Sequence, residues 1–188
     1  MIMCSYKKIV VTSAKLSPLP LPEQIQKQAK LHKPDIVIVR EKELEASEYE
    51  KLAVQVMKVC RQEGIQCILH SHLEVAAKLK AKQIHLPLWL LRRQQEKCRI
   101  FEMVGVSVHS RQEAEEAYKL GADYLIAGHI FPTACKAGLP GRGLDFLQEI
   151  CCSVPIPVYG IGGIDDTNTE LVRAAGALGE CRMSYYMQ

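Results

Sequence analysis

The sequence lacks a long apolar run and any excess of one charge. No stretch approaches the roughly 18 apolar residues of a membrane span, and the run in MIMCSYKKIVVTSAK is too short for a secretion signal. The net charge is only +3, and basic and acidic residues are interleaved, so neither a basic patch nor a helix-turn-helix pattern indicates nucleic-acid binding. We therefore expect a cytoplasmic protein that binds neither membrane nor nucleic acid.

The cysteines lack the spacing of a disulfide framework or a zinc site. None of the eight forms a CxxC pair, and the adjacent Cys151 and Cys152 lie in a helical pattern. Without a secretion signal, reduced thiols in the core are expected. Cys135 differs, because it lies beside Lys136 in a glycine-rich segment. With 48% hydrophobic and 24% charged residues, the chain can bury a core without metals or disulfides.

Short β-branched runs alternate with helical patterns along the chain. Eight runs are typical of strands, at 7–13, 35–41, 66–70, 83–87, 103–109, 123–131, 157–163 and 179–184. Seven helical segments with apolar residues three and four apart follow seven of them. The count favours a TIM (β/α)8 barrel over an open sheet, in one domain of residues 1–188. Because RMSYYMQ contains no helical segment, we expect a truncated or irregular eighth unit.

In such a barrel the active site lies at the carboxyl ends of the strands. The seventh strand, PVYGIGG, ends in glycines whose N–H groups could approach a phosphate, although a tight turn is the alternative. His129 follows the apolar run of the sixth strand. Alternation with Ala127 predicts that it points into the barrel, although a packed core histidine is the other interpretation. Such an imidazole could take up and release a proton near neutral pH.

Polar residues after other strands are candidate ligand contacts, and each also has a structural interpretation. The candidates are Thr133 and Lys136 after the sixth strand, the charge cluster Arg40 to Lys42 after the second, and Ser107 in the fifth. At a barrel mouth the charge cluster would supply a carboxylate partner or a base, whereas elsewhere it would be a solvated strand exit.

The run GADYLIAGHIFPTACKAGLPGRGLDFLQEICCSVPIPVYGIGGI resembles the TenI proteins, which are thiazole tautomerases related to thiamine-phosphate synthase. Two features carry the resemblance: GHxF where the synthase has a GPxFPT-type strand end, and the following TxCKxGLxGRG loop. The resemblance implies an isomerase that aromatises a thiazole carboxylate phosphate in thiamine biosynthesis by moving a proton, without metal or cofactor. His129 matches the catalytic position and would be the general acid and base.

The same residue matching extends to the rest of the site. Gly162, Gly163 and Ser184 would hold the phosphate. The pocket would be lined by Arg40, Lys42, Ser107, Thr133 and Lys136. The resemblance further implies a small-molecule thiazole phosphate as substrate, and we expect a homo-oligomer, either a dimer or a tetramer.

Two alternatives stay open. Thiamine-phosphate synthase uses Mg²⁺, with an acidic pair at the end of the third strand and another acid after the fourth, to neutralise a pyrophosphate leaving group. Here His70 and Ser71 occupy the first positions and LPLWLL follows the fourth strand, which argues against the synthase reaction. A non-catalytic regulatory protein that binds thiazole phosphates is the other alternative, because Tyr185 stands where the family has a glycine beside the phosphate.

Overall fold

The computed structural model describes residues 6–136 and 138–188. Eight parallel strands follow one another around a closed barrel, and the last pairs with the first. The strands are β1 (Lys7–Val11), β2 (Ile36–Val39), β3 (Gln66–His70), β4 (Gln83–Pro87), β5 (Met103–Val108), β6 (Tyr124–Gly128), β7 (Val158–Ile161) and β8 (Gly179–Arg182). The helices are α1 (Leu21–His32), α2 (Ala46–Glu63), α3 (Leu73–Lys78), α4 (Leu88–Cys98), α5 (Arg111–Lys119), α6 (Gly143–Ser153) and α7 (Thr169–Ala174). The predicted TIM (β/α)8 barrel is confirmed.

The strands separate two apolar cores because successive side chains point to opposite faces. In β1, Ile9 and Val11 belong to the cluster that fills the barrel interior. Val10 belongs to the larger cluster between the strands and the helices. Since both faces of every strand are covered in this architecture, the strands are continuous apolar runs rather than alternating ones.

All eight predicted strands are present, but several end earlier than predicted at their carboxyl ends. β1 ends at Val11 rather than residue 13, β2 at Val39 rather than 41, and β6 at Gly128 rather than 131. The residues just beyond these ends leave the sheet as loops around the barrel mouth. This matters for the site, because inward and outward alternation applies only within the paired segments.

Beyond β8 the described chain forms a turn rather than a helix. Tyr186 and Met187 are buried in the outer core at 2% and 0% exposure. The side-chain amide of Gln24 in α1 donates to the carbonyl oxygens of Tyr186 and Gln188, at 2.7 and 3.3 Å. The irregular eighth unit expected from the sequence is therefore packed onto α1 by two side chains and two hydrogen bonds.

The described cysteines carry free thiols, but they are not all in the core. Cys60, Cys98 and Cys181 are buried as expected, whereas Cys135 and Cys152 are exposed. None of the described helices combines the length and the apolar character needed to cross a bilayer. The cytoplasmic location and the single domain stay predictions.

Candidate functional site

A cavity of about 390 Å³ opens at the carboxyl ends of the strands. Its walls combine the inner ends of the strands with the loops that follow them. All the residues predicted to form the site line it, namely Arg40, Lys42, Ser107, His129, Thr133, Lys136, Gly162, Gly163 and Ser184. The barrel thus brings the whole predicted set to one place, while the role of each residue stays a prediction.

The turn after β7 is built from glycines because the neighbouring loop packs directly against it. Gly162 and Gly163 have φ angles of +103° and +65°, which glycine adopts without steric cost. A Cβ on Gly162 would lie 2.3 Å from the Cβ of His129, and one on Gly163 would lie 2.5 Å from the carbonyl oxygen of Pro132. Within the described part of the chain the amides of Gly163 and Ser184 donate no hydrogen bond, so both are free to bind an anion.

His129 lines the cavity, but the reason given by the alternation pattern is wrong. In β6 the side chains of Tyr124 and Ile126 face the barrel interior, whereas Ala127 packs under the helices. The strand ends at Gly128, so the alternation does not extend to His129. The imidazole instead belongs to the loop that leaves the strand and reaches the cavity from there.

Backbone hydrogen bonds attach that loop to β7. The amide of Ile130 donates to the carbonyl oxygen of Ile161 at 2.9 Å, and the amide of Phe131 donates to that of Gly162 at 3.0 Å. Farther along the loop, the carbonyl oxygen of Leu139 lies 3.4 Å from Nε2 of His129. The position of the imidazole is therefore set by main-chain contacts on both sides.

The charge cluster after β2 divides into a structural carboxylate and two cations. Glu41 accepts hydrogen bonds from the Thr12 hydroxyl at 2.6 Å and from the Ala14 amide at 3.0 Å. Its oxygens are thus used to tie the loop after β1 to β2, and they do not supply the carboxylate partner or base considered from the sequence. Arg40 and Lys42 line the cavity and form no ion pair within the described residues.

A third cation comes from the other side of the mouth. Lys136 ends a short 3₁₀ turn after β6, and its amide donates to the carbonyl oxygen of Thr133 at 3.0 Å. Burial, followed by the positive charges of Arg40 and Lys136, lowers the pKa of Lys42. Burial likewise lowers the pKa of Arg40. These like charges repel one another across the cavity, and a bound anion would offset the repulsion.

Two buried histidines that were not predicted as site residues line the inner part of the cavity. His70 and His85 are 5% and 1% exposed, and they are paired across β3 and β4 with ring centroids 5.6 Å apart. The Ser71 hydroxyl lies 2.7 Å from Nδ1 of His70. For His85, Nδ1 lies 3.1 Å from the Tyr124 hydroxyl and Nε2 lies 2.8 Å from the Ser107 hydroxyl. We call these five residues the imidazole floor.

Both imidazoles of the floor are neutral at neutral pH. Burial and the charge of Arg40 lower the pKa of His85 to about 3. Burial, then His85 and the nearby cations, lower the pKa of His70 well below its usual value. The sequence did contain a signal for them, because each is a polar residue at or near the carboxyl end of a strand, which is where barrel sites are built.

Arg182 is another cavity residue that the sequence reasoning missed. Its side chain is only 4% exposed and lies at the end of β8. The guanidinium donates to Asp166 at 2.7 Å and to Thr169 at 2.6 Å, and it pairs with Glu180 at 2.6 Å. Tyr185 places its ring 4.5 Å from the guanidinium carbon. This arginine is already compensated by two carboxylates, so it supports the wall rather than offering a free charge.

The residues around the cavity do not fit a magnesium ion held by protein carboxylates. Mg²⁺ prefers an octahedral set of oxygen ligands, with one or two from carboxylates. In this chain β3 ends at His70 and Ser71 follows it, and Pro87 and Leu88 stand at the junction of β4 with α4. The part of the chain that the structure describes contains no group of three or more His, Cys, Asp or Glu side chains that could hold a metal.

Comparisons with known proteins agree on one family. A family model described as thiamine monophosphate synthase matches residues 9–185. Thiamine-phosphate synthase of Syntrophomonas wolfei is 34% identical over 81% of this chain and 74% of its own length. That of Methanocella arvoryzae is 34% identical over 93% of this chain and 84% of its own. The structure of thiamine phosphate pyrophosphorylase from Pyrococcus furiosus has a TM-score of 0.80 at 28% identity, covering 95% of this chain and 85% of that one.

These relatives correct the predicted activity. The prediction of an isomerase, a thiazole tautomerase, is wrong, because the relatives that cover most of the chain are named thiamine-phosphate synthases, which are transferases. The prediction came from the resemblance of GHxF and the TxCKxGLxGRG loop to the TenI proteins, which gave His129 the catalytic role; one histidine in a barrel mouth is compatible with several roles and does not specify a reaction. The recognised family relationship itself is confirmed: this chain belongs to the TMP-TENI family, described as thiamine monophosphate synthase.

Proposed function

We propose that this chain forms thiamine phosphate, the product in the names of its relatives. The observation that carries the proposal is that one cavity combines two kinds of group: the amides of Gly163 and Ser184, which donate no hydrogen bond among the described residues, and Arg40, Lys42 and Lys136, which form no ion pair there. A thiazole phosphate and a pyrimidine bearing a pyrophosphate group would together need two anion sites. In this proposal the turn after β7 supplies one of them and the cations after β2 and β6 supply the other.

The phosphate of the thiazole substrate would bind at the glycine turn. Gly162, Gly163 and Ser184 line the same wall, and the free amides of Gly163 and Ser184 are suited to phosphate oxygens. Barrel enzymes often place a phosphate in the loops after strands 7 and 8. The ring attached to this phosphate would then lie above the barrel interior, close to the loop that carries His129 and Thr133.

The pyrophosphate group would bind at Arg40, Lys42 and Lys136. In the proposed reaction the ring nitrogen of the thiazole attacks the methylene carbon of the pyrimidine substrate. A carbon–nitrogen bond forms, the carbon–oxygen bond to pyrophosphate breaks, and pyrophosphate leaves with the bonding electron pair. Cations beside the leaving group stabilise the negative charge that develops on it.

The reaction is testable with the purified chain. Thiazole phosphate and pyrimidine pyrophosphate would be incubated with it, with and without Mg²⁺, and the mixture analysed by chromatography for thiamine phosphate. We expect enzyme-dependent product, and a loss of rate of about 100-fold in Lys42→Ala if the leaving group is bound there. Lys27→Ala, on the exposed side of α1, is the charge-matched control. Bound substrates with no product would reject synthesis.

A second candidate is a protein that binds thiazole phosphate without synthesising thiamine phosphate. It is favoured by His70 and Ser71, which stand where the synthases have an acidic pair, and by Tyr185, which lines the cavity next to Ser184. This candidate predicts that isothermal titration calorimetry detects binding of thiazole phosphate while the chromatographic assay detects no product. Formation of product at an enzyme-like rate would exclude it.

A further inference from the structure

The imidazole floor lies beside the cations after β2, which is the region where synthases of the family use carboxylates and Mg²⁺. His70 and His85 line the cavity together with Arg40 and Lys42. The positive charges of Arg40 and Lys42 contribute to the lowered pKa of His70, so the groups are close enough to interact. A cavity wall of this kind can bind negative oxygen atoms only through hydrogen-bond donors and cations, because it offers no carboxylate for a bridging metal.

The Ser71 hydroxyl can act as donor or acceptor toward Nδ1 of His70, and an anion-binding subsite requires the tautomer in which the hydroxyl donates. The Ser71 hydroxyl can donate to Nδ1 at 2.7 Å, which leaves the proton of the neutral ring on Nε2. Among residues 6–136 and 138–188, none forms a hydrogen bond with Nε2 of His70. A ligand in the cavity that His70 lines is therefore the acceptor that would complete its hydrogen bonding.

A second donor reaches the cavity through His85. Burial raises the pKa of Tyr124 well above its usual value, so its hydroxyl keeps its proton and can donate to Nδ1 of His85. Nε2 of His85 then donates to the Ser107 oxygen at 2.8 Å. With its oxygen occupied as an acceptor, the Ser107 hydroxyl is free to donate its own proton into the cavity that it lines.

The geometry points to a metal-free pyrophosphate subsite, in which Nε2–H of His70 and the hydroxyl of Ser107 bind anionic oxygens next to Arg40, Lys42 and Lys136. His70 is then a ligand-binding residue, and Ser71 is a positioning residue that sets its tautomer. The inference rests on the proposed function only in its choice of pyrophosphate as the ligand. It goes beyond that function by stating that, on the side of the cavity after β2 and β3, a neutral imidazole and cations replace the acidic pair and Mg²⁺.

The first test is titration calorimetry of the purified chain with inorganic pyrophosphate, in excess EDTA and in Mg²⁺. We expect clear binding in EDTA, and loss of binding in EDTA would overturn the subsite. His70→Ala should weaken binding in EDTA by tenfold or more, as expected for a lost hydrogen bond to a charged group. Unchanged affinity in His70→Ala would also overturn it. His72→Ala removes an imidazole that stacks on Tyr49 outside the cavity and is the matched control.

Replacing His70 by an acid should make pyrophosphate binding depend on Mg²⁺. His70→Asp should bind pyrophosphate more than tenfold more weakly in EDTA and recover part of that loss when Mg²⁺ is added, whereas the unmodified chain should not need Mg²⁺. An aspartate variant that binds pyrophosphate as well as the unmodified chain in EDTA would overturn the inference. Ser71→Ala should weaken binding less than His70→Ala, because the imidazole remains but its tautomer is no longer held. A Ser71→Ala loss as large as that of His70→Ala would contradict the assignment of His70 as the direct contact.

The outcomes for the subsite and for the proposed function are separable. Pyrophosphate binding in EDTA that depends on His70, without thiamine phosphate formation, supports the subsite and rejects the synthase activity. Thiamine phosphate formation with pyrophosphate affinity that is indifferent to His70 supports the activity and rejects the subsite. Circular dichroism of each variant checks that the barrel is folded. If a variant does not fold, the EDTA titration of the unmodified chain still tests the subsite.

Discussion

The two halves of the barrel mouth present different chemical groups to the cavity. After β7 the wall is the turn of Gly162 and Gly163, which packs against the loop from β6, and after β8 it includes Ser184 beside the side chains of Arg182 and Tyr185. After β2, β3 and β4 the wall consists of side chains, with Arg40, Lys42 and the imidazole floor. The first half carries the sequence run that resembles the family most closely, together with Tyr185 in place of a glycine, and the second carries His70 and Ser71 in place of an acidic pair.

The contrast shows why the two halves tolerate change differently. The glycine turn of Gly162 and Gly163, here called the backbone cup, has no spare volume, since a Cβ at either glycine would lie 2.3 to 2.5 Å from an atom of the loop after β6. A side-chain wall can exchange an acid for an imidazole without moving the strands, because His70 and His85 occupy ordinary inward positions of β3 and β4. The chemistry of the second half can therefore change while the barrel stays the same.

The largest expected effect comes from filling the backbone cup. Gly162→Ala combines a φ of +103° with a Cβ 2.3 Å from that of His129, so we expect the free energy of unfolding to fall by about 3 kcal/mol or more. Urea denaturation measures it. Gly121→Ala has a similar φ of +92° but nothing within 4 Å, and it should cost only about 1 kcal/mol. Equal losses of unfolding free energy in the two variants would show that close packing around Gly162 does not contribute to stability.

Substitutions in the side-chain wall should change anion affinity much more than stability. Arg40→Ala with Lys42→Ala removes two cations that form no ion pair among the described residues, so we expect pyrophosphate affinity to fall by about 2 kcal/mol or more. The free energy of unfolding should change by less than about 0.5 kcal/mol per substitution, as is usual for such positions. Calorimetry and urea denaturation of the same preparations measure both. A double variant that keeps its affinity would place the anion site elsewhere.

The buried imidazoles of the second half should make stability depend on pH. The pKa of His85 is lowered from 6.5 to about 3, so above about pH 6.5 its contribution is fully present. As the pH falls from about 6.5 towards 3 the unfolded state takes up a proton that the folded state does not, and stability declines by up to about 1.4 kcal/mol per pH unit.

Urea denaturation between pH 7.5 and 4.5 measures this slope. His85→Gln should reduce it by about one proton. An unchanged slope in His85→Gln would mean that His85 does not stay neutral in the folded chain.

The smallest expected effect lies at the edge of the backbone half. The Tyr185 hydroxyl donates to Asp166 at 3.0 Å, but the Asp166 side chain is 75% exposed. Tyr185→Phe keeps the ring on Arg182 and should lower the free energy of unfolding by less than about 1 kcal/mol. A larger loss would show that this contact locks the turn after β8. Tyr118→Phe, on exposed α5, is the matched control.

Prediction from the sequence was strongest where local chemistry decides the structure. Glycines at positive φ, such as Gly64 at the end of α2, and the β-branched runs of the strands are local signals, and the barrel follows from their order. The site residues after the strands were also found, because the carboxyl ends of parallel strands in a barrel converge at one face. The predicted activity was wrong, because it followed from a resemblance to the TenI proteins, whereas the relatives that cover most of the chain are named as synthases.

The sequence by itself determined the alternation of strands and helices, the barrel, and the glycine turn, since each depends on residue periodicity or backbone freedom within a short segment. Only the tertiary structure decided which side chains meet. His70 faces His85 because β3 and β4 pair in that register, and Glu41 is occupied because Thr12 and Ala14 come from a different loop. His129 enters the cavity because its strand stops one residue earlier. Contacts of this kind depend on distances between segments far apart in the chain, which no local pattern encodes.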